Sequence, residues 1–255
     1  MNWKTRHPQL YRILAKVRFS LAREKTIKLP FGAKMKVNPH SYVERCISEG
    51  HFENWRIEFF RSSIVRDCDF FDIGANVGLF SLLAAAQGAN VHAFEPEPMN
   101  LSRLRRNLRL NPHFADKVKV WPIALGNHVG EVDFRRPLSD NYGRSSLNLK
   151  KECDHINVKM QRFEDMNLSS SAERFFKIDV EGSEIEVLAG MGSELDAIVT
   201  TVFLVEVHRE GGVNLNTIIE IFSLRGFRVA FLDDSNGKER DSIPNNGDVA
   251  LIARK

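Results

Sequence analysis

Cysteine is scarce: Cys46, Cys68 and Cys153 are the only three in 255 residues, widely spaced and without a C-x-x-C pair. An odd, scattered set excludes a disulfide framework and a Cys-rich zinc site, and it suits a reducing compartment. No stretch approaches the ~18 apolar residues of a membrane span, and charges interrupt the N-terminus too often for the apolar core of a signal peptide. The expected location is therefore cytoplasmic. Sixteen Gly and nine Pro follow no period, which excludes collagen-like and low-complexity chains. What remains is an ordinary globular composition, with 43% hydrophobic and 27% charged residues, and one α/β domain would use the whole length.

The net charge of +3 hides an asymmetry. Residues 1–28 hold eight basic groups against one acid, Glu24, so this arm carries +7 and the rest of the chain −4. The body has no overall basicity that would draw nucleic acid. Residues 1–50 read as a basic, helical N-terminal arm and lead-in, and 51–255 as one domain.

From residue 69, short β-branched or aromatic runs alternate with helical periods, the pattern of a parallel α/β sheet. Strands are expected at Asp69–Ile73, Val91–Phe94, Val118–Leu125, Phe175–Val180, Ile198–Val207, Phe227–Leu232 and Asp248–Ala253. After Pro98, Leu101, Leu104 and Leu108 share one helical face, and Arg103, Arg105, Arg106 and Arg109 form a solvated one. The polar segment 233–247 offers no crossover helix, so the last strand must reverse in a hairpin. Residues 126–174 are an insertion with short strands of its own, at Glu131–Arg135 and Ile156–Arg162, and a Ser-rich turn at Ser169–Ser171.

The run from Phe70 through Asp72, Gly74, Ala75 and Asn76 to Gly78 is a buried strand entering a glycine turn and then a helix. Gly74 and Gly78 allow close approach of backbone to a ligand, and Asn tolerates positive φ at Asn76. Glu95 ends the next strand near the offset at which an acid takes ribose hydroxyls. The loop has no lysine, and Asp72 stands just before it. A carboxylate there repels pyrophosphate but stabilises an ammonium or sulfonium, which favours S-adenosylmethionine over NAD or ATP.

A second constellation lies further on. Strand alternation puts Lys177, Asp179 and Glu181 on one face, with Asp179 at the ligand-binding carboxyl end and Lys177 as its ion-pair partner. Ser183 to Glu186 matches a capping box, with Glu184 adding favourable charge at the helix N-terminus and Glu186 structural. Glu206 and His208 share a face at the end of the fifth strand, and His208 is read as a general base for deprotonating a hydroxyl. A cation held by Asp179, Glu181 and His208 is the alternative, but no compact ligand spacing supports it, and no metal is assigned.

In these blocks the sequence resembles the FkbM-type S-adenosylmethionine-dependent methyltransferases. The resemblance runs from His51 to His208 and rests on GHFE at 50–53, DIGANVG at 72–78, AFEPEP at 93–98, the helix end Asn107–Asn111, Ala124-Leu125, KIDVEGSEIEVLAG at 177–190 and EVH at 206–208. It implies a Rossmann-like class I fold, with a seven-stranded, mostly parallel sheet, one reversed strand and helices on both faces. It also implies O-methylation of a small molecule or saccharide. By position, Asp72, Gly74, Ala75, Asn76 and Gly78 would line the methionine end of the cofactor, Glu95 the ribose and the backbone at Ala124 the adenine, with Glu53 closing the site. The chain departs from the family at Phe163-Glu164-Asp165, where Leu-Asp is usual. The basic arm and the arginine helix leave an RNA or protein methyltransferase open, as well as a cofactor-binding domain without turnover.

In the arm, Leu10, Ile13, Leu14 and Val17 recur at helical spacing. Such a helix packs on its own domain or makes weak membrane-surface contact through residues 1–28, where each basic residue near an anionic surface contributes about 1 kcal/mol. Deleting residues 1–24 is expected to preserve cofactor binding and to lower binding to anionic liposomes at low salt. Loss of cofactor binding would make the arm part of the fold, and absence of liposome binding by the intact chain would end the membrane reading.

Overall fold

The computed structural model describes residues 23–50, 52, 54–137, 153–168, 173–196, 200–209, 212–233, 236–244 and 248–255. The amphipathic segment Leu10–Val17, the turn Ser169–Ser171 and Glu53 lie outside them. The chain runs β1 (Lys25–Lys28), β2 (Lys34–Val37), α1 (Tyr42–Glu49), α2 (Asn54–Ser63), β3 (Asp69–Ile73), α3 (Leu79–Gln87), β4 (Asn90–Phe94), α4 (Pro98–Arg109), α5 (Pro112–Ala115) and β5 (Val118–Trp121). It continues with β6 (Ala124–Leu125), β7 (Gly130–Pro137), β8 (Cys153–Gln161), β9 (Glu173–Ile178), α6 (Glu184–Met191), β10 (Thr200–Val207), α7 (Leu215–Ser223), β11 (Arg228–Leu232), β12 (Glu239–Arg240) and β13 (Val249–Arg254). Among the described residues, no helix is long and apolar enough to cross a membrane.

The main sheet has the order β12-β11-β13-β10-β9-β3-β4-β5. Its central strands pair in parallel, and β13 runs antiparallel to both β10 and β11. The expected reversed strand is therefore β13. The sheet gains an eighth member because the polar segment before β13 folds two residues, β12, antiparallel onto the edge of β11.

One expected strand divides. The run 118–125 breaks at Pro122, which has no N–H to give a ladder. Val118–Trp121 stays beside β4, whereas Ala124–Leu125 pairs with β8 in a separate sheet of order β6-β8-β7. The two long strands of that small sheet belong to the insertion; β7 extends beyond the expected Glu131–Arg135 at both ends, and β8 begins three residues before the expected Ile156 and ends at Gln161.

The main sheet is buried on both faces, as near-continuous apolar strands require. Alternation sends Phe70 and Phe175 toward α2 and α3, where Phe60 meets both and Phe80 packs on Phe60, and Phe71, Phe176 and Phe203 toward α6 and α7. Register sets Phe176 directly beside Phe71 on one side and Phe203 on the other. Their rings stack with centroids 4.5 and 4.6 Å apart.

Residues 24–50, read as a lead-in, join this core. Leu29, Met35, Val37 and Ile47 are buried in it. Asn111 exchanges hydrogen bonds with the Lys34 backbone at 2.7 and 2.6 Å, and Asn107 accepts from Lys36 N at 2.9 Å. The arginine helix is not simply a solvated face: Arg103 is buried against Glu44 at 2.9 Å, and Arg106 holds Glu24 at 3.0 Å. Arg105 and Arg109 remain exposed.

Replacing Phe176 by Ala removes the middle ring of the stack. The expected cost is about 3–5 kcal/mol, read as a lower midpoint in denaturant unfolding with an unchanged slope.

Candidate active site

The buried strand β3 delivers the chain to a turn whose shape is fixed by its neighbours. Gly74 has φ +81°, and a Cβ there would sit 1.9 Å from the Asp179 carbonyl oxygen, so only glycine lets the loop pass the end of β9. Asn76 also has positive φ, +51°, and its N–H donates to Glu95 Oε2 at 2.7 Å. Glu95 Oε1 accepts from Glu97 N at 2.9 Å. Glu97 in turn caps α4 by accepting from Asn100 N at 2.6 Å, with Pro98 in the first turn.

Gly74, Asn76, Glu95 and Asn100 form one wall of a cleft of about 610 Å³. Ile123, Ala124 and Leu125, displaced from the main sheet by Pro122, form another with Phe134 of the insertion, and Asp179 and Glu181 close the end. The cleft thus joins an apolar wall to three carboxylates, and none of its described lining residues is Lys or Arg. That donor set suits a planar base, a ribose diol and a cationic end, and it disfavours phosphate.

The sequence-derived cofactor residues separate here. Gly74, Asn76, Glu95 and Ala124 line the cleft. Asp72, Ala75 and Gly78 do not: Ala75 is buried in the core, and Gly78 stands at the start of α3 against Leu104. Asp72 is corrected most clearly. It is wholly buried beneath the loop, accepting from Ser81 Oγ at 2.5 Å and pairing with Lys177 at 3.2 Å. The Lys177 ammonium also donates to Gly74 O at 2.8 Å and lies 3.5 Å from Asp179.

Burial pushes the Glu95 carboxyl up to about 7, against the opposing effect of its two backbone donors. At Asp179, burial is outweighed by Lys177, His208 and Arg56, which hold the carboxyl below the ordinary range.

His208 is 2.8 Å from Glu184 through Nδ1, and its Nε2 lies 3.8 Å from Asp179 and 3.7 Å from Glu181. Burial alone would lower its pKa, but the Glu184 hydrogen bond and the charges of Asp179, Glu181 and Glu206 raise it to about 10. These surroundings favour the imidazolium, in which both ring nitrogens are donors, and so weigh against His208 as the general base. Glu206 is held by both guanidinium nitrogens of Arg56, with NH2 to Oε1 at 2.8 Å. Asp179, Glu206 and His208 bring ligand atoms within 4.8 Å of one another. Arg56 already pairs with Glu206 there, and we assign no metal.

Two residues escaped the sequence reading. Arg56 is 150 residues from its partner, and its one local signal is the i, i+4 spacing to buried Phe60 on α2. From sequence Glu184 offers only a helix-end charge, yet it is fully buried, and the Ser183 side chain makes no capping bond.

The Methyltransferase FkbM domain family matches residues 72–229. The hexuronic acid methyltransferase AglP of Haloferax volcanii is 27% identical over 199 residues, covering 71% of this chain and 77% of that protein. The 31-O-demethyl-FK506 methyltransferase FkbM of Streptomyces tacrolimicus is 27% identical over 195 residues, covering 64% and 74%. The crystal structure of a methyltransferase FkbM from Methylobacillus flagellatus KT shares the fold, with a TM-score of 0.50 and 21% identity over 76% of this chain and 46% of its own. The fold and site define a class I, S-adenosylmethionine-dependent methyltransferase. Within that class, the chain belongs to the FkbM methyltransferase family.

A ribose diol donating to Glu95 favours the carboxylate, so binding of S-adenosylhomocysteine is expected to strengthen as pH rises through about 7 and to release a proton there. The limit is about tenfold per pH unit below that value. Glu95→Ala is expected to weaken binding by about 1–3 kcal/mol and to abolish the proton release, measured as the dependence of calorimetric enthalpy on buffer.

Proposed function

We propose that the protein transfers a methyl group from S-adenosylmethionine to a hydroxyl oxygen of a saccharide or other small molecule. The observation that carries this reading is the position of Asp179. It closes the end of the cofactor cleft together with Glu181 and lies 3.8 Å from His208 Nε2. A carboxylate at that boundary can touch both cofactor and acceptor. The names of the Haloferax and Streptomyces relatives, a hexuronic acid and an FK506 methyltransferase, support the acceptor class.

In this reading, Gly74, Asn76 and Glu95 hold the adenosyl and methionine portions, and Phe134 with Ile123–Leu125 encloses the base. When bound, S-adenosylmethionine supplies an electrophilic methyl group. Asp179 orients the acceptor hydroxyl and takes its proton. A carboxylate held below its ordinary pKa is a weak base, so positioning, which can supply ~7–11 kcal/mol, outweighs proton removal at ~3–5 kcal/mol. Arg103 and Arg106, two of the four arginines behind the RNA alternative, are engaged with Glu44 and Glu24.

The test is methyl transfer from labelled S-adenosylmethionine to monosaccharides, uronic acids and glycosides, beside RNA and protein. Transfer to RNA that falls steeply with salt would overturn the small-molecule reading, and S-adenosylhomocysteine binding without transfer to any acceptor would make the domain a binding module. Asp179→Asn is expected to lower turnover by about 10²-fold or more, whereas Glu186→Gln on α6 should leave it nearly unchanged. Equal turnover in two folded variants would remove Asp179 from the chemistry.

A further inference from the structure

A glutamate in the first turn of a helix is ordinarily solvated, where its charge favours the helix dipole. Glu184 has no exposure at all. Its Oε1 accepts from His208 Nδ1 at 2.8 Å and from Gly182 N at 3.0 Å. The second bond reaches into the turn after β9, where Glu181 and Gly182 both have positive φ, +53° and +106°. One buried oxygen therefore ties the imidazole on β10 to the turn that presents Asp179 and Glu181.

We infer that Glu184 is a positioning residue for methyl transfer, which keeps His208 Nδ1 a permanent donor and so fixes the Nε2–H toward Asp179 and Glu181 as the cation of the acceptor site. The inference rests on the methyl-transfer reading for what occupies that site. The gaps from Nε2, 3.8 Å to Asp179 and 3.7 Å to Glu181, are too long for direct hydrogen bonds, leaving room for an oxygen to approach all three groups. An acceptor hydroxyl there receives the Nε2–H bond and gives its own proton to the Asp179 carboxylate. The new O–C bond forms as the S–C bond breaks, with the electron pair retained by sulfur. His208 keeps both of its protons throughout.

The charges around the ring are consistent with this role. Glu184 faces it from α6, Asp179 and Glu181 from the turn after β9, and Glu206 from its own strand, with Lys177 and Arg56 as the cations beyond. Carboxylates outnumber cations, and the ring pKa stands at about 10 despite burial.

The test combines ring-nitrogen NMR of ¹⁵N-histidine-labelled full-length protein with calorimetric binding of S-adenosylhomocysteine. In the wild type, both His208 nitrogens are expected to remain protonated at about pH 8. In Glu184→Gln, which preserves the acceptor oxygen and removes the charge, the titration midpoint should fall by about one pH unit or more, with S-adenosylhomocysteine affinity within about threefold (under 1 kcal/mol). A neutral ring at about pH 8 in the wild type overturns the inference, even if the variant does not fold. An unchanged midpoint in a folded variant overturns it as well. Failure of the wild type to bind S-adenosylhomocysteine would instead overturn the methyltransferase reading, with the His208 titration still reporting separately on Glu184.

Discussion

A single buried ammonium constrains the site. Lys177, on β9 opposite Asp72 of β3, is shared by the Asp72 carboxylate, the Gly74 carbonyl and the Asp179 carboxylate. An isolated charge in that position would be costly, and so would each carboxylate without it. The three contacts bind the floor of the cofactor loop to the end of the strand that carries Asp179. The loop and Asp179 cannot shift independently, because moving either one strands a buried charge. Gly74 supplies the steric half of the same constraint, since its backbone passes against the Asp179 carbonyl.

Around this point, the scaffold is built from rings. Adjacent phenylalanines on β3 and β9 point to opposite faces, so each strand contributes to both layers of the core. The N-terminal hairpin and α1 complete one layer through buried aliphatics, Asn107 of α4 and Asn111 just beyond that helix. The helix that supports the cofactor turn is thus braced from two directions: Asn107 accepts from Lys36 N and donates to Val77 O at 2.9 Å.

The parts of the site legible in the sequence are those determined locally. A strand, a positive-φ turn and a helix in immediate succession required Gly74 and Asn76, and the lack of a crossover period before the last strand required its reversal. Glu95 and Asp179 followed from their places at strand ends. The surroundings of His208 could not be read this way, because its carboxylate neighbours are gathered from the turn after β9, from α6 and from β10. Arg56 was hidden for the same reason, with its partner 150 residues away. Asp72 illustrates the converse: its position in the motif was plain, but whether it faced a ligand or lay beneath the loop depended on Ser81 and Lys177.

The asparagine clasp on β2 bears on the order of synthesis. The amides of Lys34 and Lys36 find their side-chain acceptors 77 and 71 residues later in the chain. At ~5–20 residues per second on the ribosome, that interval is roughly 4–15 s, during which β2 has emerged but cannot dock. The N-terminal hairpin can therefore make these bonds only after α4 and Asn111 have followed it from the ribosome, although it is the first of these elements to leave.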